Sequence, residues 1–246
     1  MGCAMKLTTP PLAPKVVQTL ATLQIHTAED VQAACPCRAF LLLKQTGLTV
    51  TQSVFWQLVA ISLHKTVADL SDPEKQYWQQ KLEQTPPVAI FPAQAEMERL
   101  MQAALVQAAL AAECGEVPVG AVVVHRGEII AQAHNRCIAD CDIGRHAEMN
   151  ALALAGKTLG NYRLADCDLY VSLEPCTMCA SAMIQARIRR VIFAASEPKT
   201  GAAGSVINLF TNSQLNQHTA VLGGIMATEA QQQLQAFFAQ RRQQKR

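Results

Sequence analysis

The segment Asp168–Cys179 reads DLYVSLEPCTMC, an apolar run that ends in a proline and two cysteines. The stretch Asp168–Ser172, which is apolar between its two ends, predicts a buried strand, and Pro175 suits the first turn of a helix that begins at Cys176. Two residues three positions apart on a helix lie on one face, so Cys176 and Cys179 are expected to point the same way. The segment therefore predicts a strand that leads into a helix with two neighbouring thiols.

Strands and helices alternate on both sides of this segment. Short β-branched runs predict further strands, at residues 117–125, 128–133 and 190–195. Helical patterns predict helices, at residues 95–112, 146–155 and 227–243. Strands separated by helices indicate an α/β layer fold in which helices cover a sheet.

The motif His146-Ala147-Glu148 stands thirty positions before Cys176 and completes a potential metal site. One imidazole and two thiolates are ligands that suit zinc. A structural zinc site normally has four protein ligands, whereas three leave a position for water, which the metal acidifies toward neutral pH. His146, Cys176 and Cys179 are therefore the predicted ligands. Glu148 is the acid left over, suited to moving a proton from that water to a substrate nitrogen.

The spacing of His146 and Glu148 indicates which part of a helix, its end or its side, would face the metal. Residues two apart point to different sides of a regular helix, so the metal is expected to face the helix end. Both ligand groups would then lie at positive helix N-termini, which favour thiolates. Taken alone, the two cysteines suit a redox pair as well as a metal site, and the histidine suits a packing residue as well as a ligand. The two motifs together are much more specific for a metal site.

Composition limits the classes of protein to which the chain can belong. Its 246 residues are 50% hydrophobic and 16% charged with a formal net charge of +2, which excludes intrinsic disorder and a polycationic protein. Nine cysteines in a chain of this length favour a reducing compartment over a disulfide framework. No run reaches the roughly 18 apolar residues of a membrane span. We therefore expect a cytoplasmic protein without a membrane partner.

A proline-rich stretch, Pro86–Pro92, separates two parts of different character. Before it, helical patterns lie near residues 13–23, 28–34, 37–46, 51–64 and 73–84. Two of these helices begin with capping pairs, Thr27 with Asp30 and Ser71 with Glu74. The sequence predicts a small all-α domain, residues 1–94, followed by the α/β domain, residues 95–246.

From about Glu96 to its C-terminus the chain resembles the bacterial tRNA adenosine deaminases of the zinc-dependent cytidine and deoxycytidylate deaminase superfamily. Besides the two motifs above, the matching segments are Glu116–Ala121, Asn135-Arg136, Asn161–Leu164, Leu173–Cys176, Lys199–Ser205 and Phe237-Phe238 with Arg241-Arg242. The run that begins at Lys199 discriminates most, because relatives acting on free bases or nucleosides generally lack it.

This resemblance implies a fold, a reaction and an assembly. The fold is the three-layer α/β/α cytidine deaminase-like fold with a mixed sheet. The reaction is hydrolytic deamination of the wobble adenosine of an arginine tRNA to inosine. The assembly is a homodimer with one zinc ion per subunit that binds the anticodon loop, whose single-stranded bases are the least costly to extract.

The same resemblance assigns roles to individual residues. Zinc binding and proton transfer fall to the residues already singled out, His146, Cys176, Cys179 and Glu148. Substrate binding falls to Pro118, Val119, Asn135, Ala147, Glu197, Lys199 and Phe238. Within that set, Asn135 hydrogen-bonds the flipped base, and Pro118 and Val119 line its pocket. Glu197 stands where the family usually has an aspartate near the ribose.

Two departures from the family pattern fall in the loop before the metal-binding histidine. Asp142–Arg145 stands where the family commonly has Pro-Thr-Ala, and Cys137 replaces a usual proline. Cys137 and Cys141 are either rival metal ligands or, as we expect, ordinary loop thiols. Cys35 and Cys37 have no histidine or second cysteine pair to complete a site, so we interpret them as unrelated to metal.

The first part of the chain resembles the helical C-terminal domain of TfoX-type competence regulators. The matching segments are Leu12–Lys15, Leu23–Asp30, Arg38–Phe40 and Trp56. Such domains are similar to a helix-hairpin-helix, but the glycine expected in Leu12–Lys15 is missing, which weakens phosphate binding by its backbone. We expect a docking or stabilising module.

The remaining cations and histidines carry weaker signals. The C-terminal cations are expected to contact tRNA phosphate: Arg241, Arg242, Lys245 and Arg246. Three histidines have no motif context and are expected to be surface or packing residues: His64, His125 and His218.

Two other functions remain open on the sequence alone. A deaminase of a free base such as guanine shares both metal-site motifs. A non-catalytic regulator that binds tRNA or DNA would use zinc structurally, although the intact Glu148 argues against it.

Overall fold

A computed structural model of the chain describes residues 5–212, 214–215 and 219–244. It divides into two compact units, Met1–Ile90 and Phe91–Arg246, and Phe91 packs against the core of the second. The boundary expected from the sequence, between residues 94 and 95, lies slightly later. His218, Lys245 and Arg246 lie outside the described residues. Among the helices that are described, none is long and apolar enough to cross a membrane.

The first unit is built from helices around a core that includes Leu20, Phe40 and Phe55. The helices are α1 Pro14–Thr22, α2 Ala28–Ala34, α3 Pro36–Gln45, α4 Gln52–Ser62 and α5 Asp72–Gln84. Both predicted capping boxes are present. The Thr27 and Ser71 side chains accept hydrogen bonds from the backbone amides three residues later, and the acidic side chains there accept the backbone amides of Thr27 and Ser71.

The second unit alternates strands and helices. In chain order they are α6 Gln94–Glu113, β1 Gly120–His125, β2 Glu128–His134, α7 Ala147–Leu159, β3 Cys167–Leu173, α8 Thr177–Gln185, β4 Arg190–Ala195, β5 Ala220–Gly223 and α9 Ala227–Gln244. β1 begins at Gly120 rather than at Val117, because Pro118 has no amide for the ladder and the Val119 amide bonds to the Val117 carbonyl. The sequence did not predict β5, because this strand is short and a pair of glycines stands at its end.

The sheet has the strand order β2-β1-β3-β4-β5. β1 is antiparallel to β2 and β3, whereas β3, β4 and β5 are parallel, so the sheet is mixed. Alternate residues of β1 face opposite layers: Val122 packs in the core beneath α6, and Val123 in the core shared with α7 and α8. This arrangement confirms the predicted three-layer α/β/α fold.

The parallel pairing of β3 and β4 determines where in the fold the predicted metal site lies. Because neighbouring parallel strands end at the same edge of a sheet, the residues that follow Leu173 and Ala195 lie close together. At this edge the chain after β3 turns into α8, and the chain after β4 forms a loop, residues 197–205.

Gly120 sets the distance between β1 and α6. A Cβ at Gly120 would lie inside van der Waals contact of the Ala104 carbonyl oxygen and the Ala108 amide nitrogen, both backbone atoms of α6. Gly120→Ala is therefore expected to lower the free energy of unfolding by about 1–3 kcal/mol.

The thermal melting temperature checks this prediction. The matched control is Gly156→Ala in α7, where the nearest heavy atom lies 3.5 Å from the added Cβ and helix propensity improves. Equal melting temperatures for the two variants would contradict the expected clash at Gly120.

Candidate active site and metal centre

The predicted metal ligands lie at the beginnings of two helices. His146 is the N-cap of α7 and Cys176 is the N-cap of α8, and both have extended backbone. Cys179 lies in the first turn of α8 and is buried. The predicted ligands therefore lie at helix ends rather than on helix sides, and the exposed amides and dipole of each N-terminus favour anionic sulfur.

The three side chains converge on one point. Their ligand atoms all lie within 4.8 Å of one another, and the structure shows no other such group of three among the residues it describes. The Nδ1 atom of His146 is 3.4 Å from the Cys179 Sγ and 3.7 Å from the Cys176 Sγ. One imidazole and two sulfurs at this spacing could hold a metal ion, and they match the protein donor set of a three-ligand zinc site.

Electrostatics within this group favour a bound cation. Hydrogen bonds with Cys179 and His146 lower the pKa of the Cys176 thiol to about 3. The hydrogen bond to Cys176 in turn raises the pKa of His146, and the contact with Cys176 together with burial raises the pKa of Cys179. Cys176 is therefore the most readily ionised thiol of the three side chains, and a divalent cation would displace the protons that the other two groups retain.

Glu148 lies directly beside these ligands. Its side chain is only 3% exposed, and burial raises the pKa of its carboxyl, which also contacts the Cys179 thiol. A raised pKa makes a carboxyl a stronger proton acceptor than an exposed carboxylate, which suits a group that takes and returns a proton. The residue thus has the environment expected of a general acid and base.

Asn135, Val119 and Ala147 form one hydrogen-bonded unit near the ligands. The Asn135 Oδ1 accepts a hydrogen bond from the Ala147 backbone amide at 2.8 Å, and the backbone amide of Asn135 donates to the Val119 carbonyl at 3.1 Å. Asn135 is buried, as are Pro118 and Val119. Because the Asn135 Oδ1 already accepts a hydrogen bond, the orientation of the side-chain amide is fixed, as is required of a residue that recognises a base.

The loop 136–145 is held by a buried carboxylate that sequence reasoning missed. Glu116 is 1% exposed and accepts the amides of Ile138 and Ala139, each at 2.8 Å. On the surface of the loop, Arg136 and Arg145 form ion pairs with Asp140. Glu116 was noticed only as part of a matching segment, and its burial depends on contacts distant in sequence.

Cysteines outside the metal group make no second site in the described part of the chain. The Cys141 Sγ lies 3.6 Å from the Ile138 carbonyl, and both Cys137 and Cys141 are free thiols. Cys35 and Cys37 are also free thiols. None of these four joins a group of three metal-binding side chains.

The second loop beside the site, 197–205, is held by another buried carboxylate, that of Glu174. Of the two residues expected to bind substrate there, Glu197 is half-buried and Lys199 is exposed. The Glu197 carboxylate accepts the Lys199 amide at 2.8 Å. Glu174 was also missed as a functional residue, because the sequence shows only an acid before Pro175.

Phe238 lies apart from the metal group. It is on α9, which packs against α6 and β4 in the layer opposite α7 and α8, and it is 44% exposed. Arg241, one turn later, stacks over Phe237 and donates to the Gly115 carbonyl at 3.4 Å. The end of α9 therefore reaches the segment that includes Glu116.

Comparisons with known proteins place both parts of the chain. The cytidine and deoxycytidylate deaminase zinc-binding region matches residues 94–195, and the TfoX C-terminal domain matches residues 7–82. The tRNA-specific adenosine deaminase of Haemophilus influenzae is 44% identical over 150 residues, which are 61% of this chain and 87% of that protein. This chain belongs to the tRNA-specific adenosine deaminase family.

Other members and solved structures agree with this assignment. The tRNA-specific adenosine deaminase of Bacillus subtilis is 42% identical over 149 residues, 61% of this chain and 92% of that protein. A solved structure from a study of adenosine-to-inosine editing at the tRNA wobble position has a TM-score of 0.54 and 42% identity, covering 55% of this chain and 99% of that one. A protein solved in complex with 8-azaguanine has a TM-score of 0.52 but only 27% identity, covering 58% of this chain and 84% of that one.

Proposed function

We propose that this chain catalyses the hydrolytic deamination of adenosine to inosine at the wobble position of an arginine tRNA. One observation carries the proposal: His146, Cys176 and Cys179 converge beside the buried Glu148, in a domain 44% identical to a tRNA-specific adenosine deaminase. The reaction adds one water to the adenine ring and releases one ammonia.

The three ligands would hold one zinc ion per chain. When bound there, zinc acidifies a water molecule and so supplies a nucleophile near neutral pH. Glu148 would accept one proton from the attacking water and pass it to the ring nitrogen next to the attacked carbon. It would then take the second proton from the hydroxyl group that the attack adds to that carbon and deliver it to the departing amino group. Its burial keeps bulk water from competing for these proton transfers.

The buried unit around Asn135 would receive the adenine base. Asn135, fixed by Ala147, hydrogen-bonds the base, and Pro118 and Val119 form the apolar wall against it. A base must leave its stack to enter such a site, and this costs least in the single-stranded anticodon loop. The geometry therefore suits an extruded nucleotide.

Contacts to the rest of the tRNA would come from exposed residues on loop 197–205 and at the end of α9. Lys199 lies on the loop beside Cys176, and Arg241 and Arg242 are exposed at the end of α9. We assign these cations to phosphates, with Glu197 near the ribose and Phe238 as a stacking side chain. Localised cations suffice for a chain whose net charge is only +2.

We further propose a homodimer formed through α7 and α8. A shallow depression between them is lined mainly by apolar side chains and glycine, including Leu152, Gly156 and Ala182. Tyr162 beside it is 70% exposed. An exposed apolar area of this kind is typical of an interface between subunits.

The helical unit is proposed as an accessory domain spanning residues 1–94. Its match to the TfoX C-terminal domain and its self-contained core support a docking or stabilising module. The cytoplasmic location stays a prediction.

A two-substrate assay tests the proposed function. The purified, zinc-loaded full chain is incubated with an arginine tRNA that has adenosine at its wobble position, and separately with free guanine. We expect inosine in the tRNA and no xanthine from guanine. Xanthine without inosine would identify a free-base deaminase, and neither product would indicate a non-catalytic binder.

A further inference from the structure

Glu174 is a buried carboxylate, 3% exposed, that receives four hydrogen bonds from one loop. The backbone amides of Glu197, Ala203 and Ser205 donate to it at 3.0, 2.9 and 3.0 Å, and the Ser205 hydroxyl donates as well. All four partners lie in loop 197–205. The loop therefore folds around a single side chain.

The same loop is joined to the segment that bears the cysteines. The Ala202 amide donates to the Pro175 carbonyl at 2.8 Å, and Gly201 forms an isolated β-bridge with Cys176. A Cβ at Gly201 would collide with the Glu174 carboxyl group and with the Glu197 carbonyl oxygen. The backbone at Gly201 is thus packed tightly against the carboxylate, and the conformation of the loop depends on it.

We propose that Glu174 is a positioning residue that holds loop 197–205, and with it Lys199, in the conformation that binds tRNA. The inference rests on the proposed function, because the loop contacts substrate only if the substrate is tRNA. An ionised carboxylate offers acceptors alone, which matches four donors. Glutamine would turn an NH₂ group toward some of those donors and release part of the loop.

The Glu174→Gln variant tests this role. Losing charge-assisted hydrogen bonds is expected to raise both the KM and the Kd for tRNA by about tenfold. The kcat should change by less than about threefold, because Glu148 and the metal ligands stay in place. Zinc content per chain should equal that of the wild type.

A second buried carboxylate, on the strand that leads to Glu174, provides the matched control. Asp168 lies at the opposite end of β3, is 3% exposed and pairs with Arg189 and Arg190. Asp168→Asn should lower the melting temperature while the KM and Kd for tRNA stay at the wild-type values. A purely structural role for Glu174 would give the same pattern.

The exposed Ser205 supplies a milder variant that does not remove the buried carboxylate. Ser205→Ala deletes only the hydroxyl donor and should raise the Kd for tRNA by a few-fold with unchanged stability. An unchanged Kd in both Glu174→Gln and Ser205→Ala would overturn the proposal, as would loss of zinc from Glu174→Gln.

The design separates this inference from the proposed function. A wild-type chain that makes no inosine would contradict the proposed function, whereas the Kd of the Glu174 variant, measured by filter binding, would still decide the role of Glu174.

Discussion

Glu148→Gln is expected to slow inosine formation by about 10³-fold while zinc remains bound. Glutamine fits the buried position but cannot accept the proton of water or pass it to the ring nitrogen and the leaving group. The proposed metal ligands are His146, Cys176 and Cys179, so the substitution leaves this donor set intact. Single-turnover measurement of inosine, together with zinc content by mass spectrometry, checks both halves of the prediction.

The control is Glu128→Gln, which removes an exposed carboxylate on β2. It should react at the wild-type rate. A Glu148→Gln variant that keeps most of its activity would remove this residue from proton transfer, and loss of zinc would show that the carboxylate supports the metal instead.

Cys176→Ser is expected to abolish both zinc binding and activity. A hydroxyl is a harder and weaker zinc ligand than the thiolate, whose pKa of about 3 makes it the readily ionised member of the group. The zinc content should fall from about one per chain to a small fraction, because two remaining ligands do not form a catalytic zinc site. Inosine should be undetectable.

Cys137 and Cys141 provide the matched comparison, since both are free thiols in the neighbouring loop. Cys137→Ser and Cys141→Ser should keep zinc at the wild-type level. Loss of zinc from either of these variants would mean that the ligand set is wrong.

Much of the fold could be predicted because its signals are local. The capping pair Thr27 and Asp30 marks a helix start within a few residues, and β-branched runs identify β4. The three candidate metal ligands could also be predicted, because a His-Ala-Glu motif and a Pro-Cys-x-x-Cys motif indicate which helix ends must meet.

The two buried carboxylates beside the site could not be predicted in the same way. Glu116 and Glu174 matter because distant loops fold back and donate amides to them, and neither burial nor these donors is visible in the local sequence. β5 was missed for a related reason, since its pairing with β4 rather than its own pattern makes it a strand.

The measurement that tests the central claim most directly is the position of inosine in an arginine tRNA after incubation with the zinc-loaded full chain. Inosine is read as guanosine on reverse transcription, so sequencing locates each edited adenosine. We predict conversion at the wobble position alone, lost with Glu148→Gln. Unchanged adenosine at that position after incubation with a fully zinc-loaded wild-type chain would contradict the proposed function.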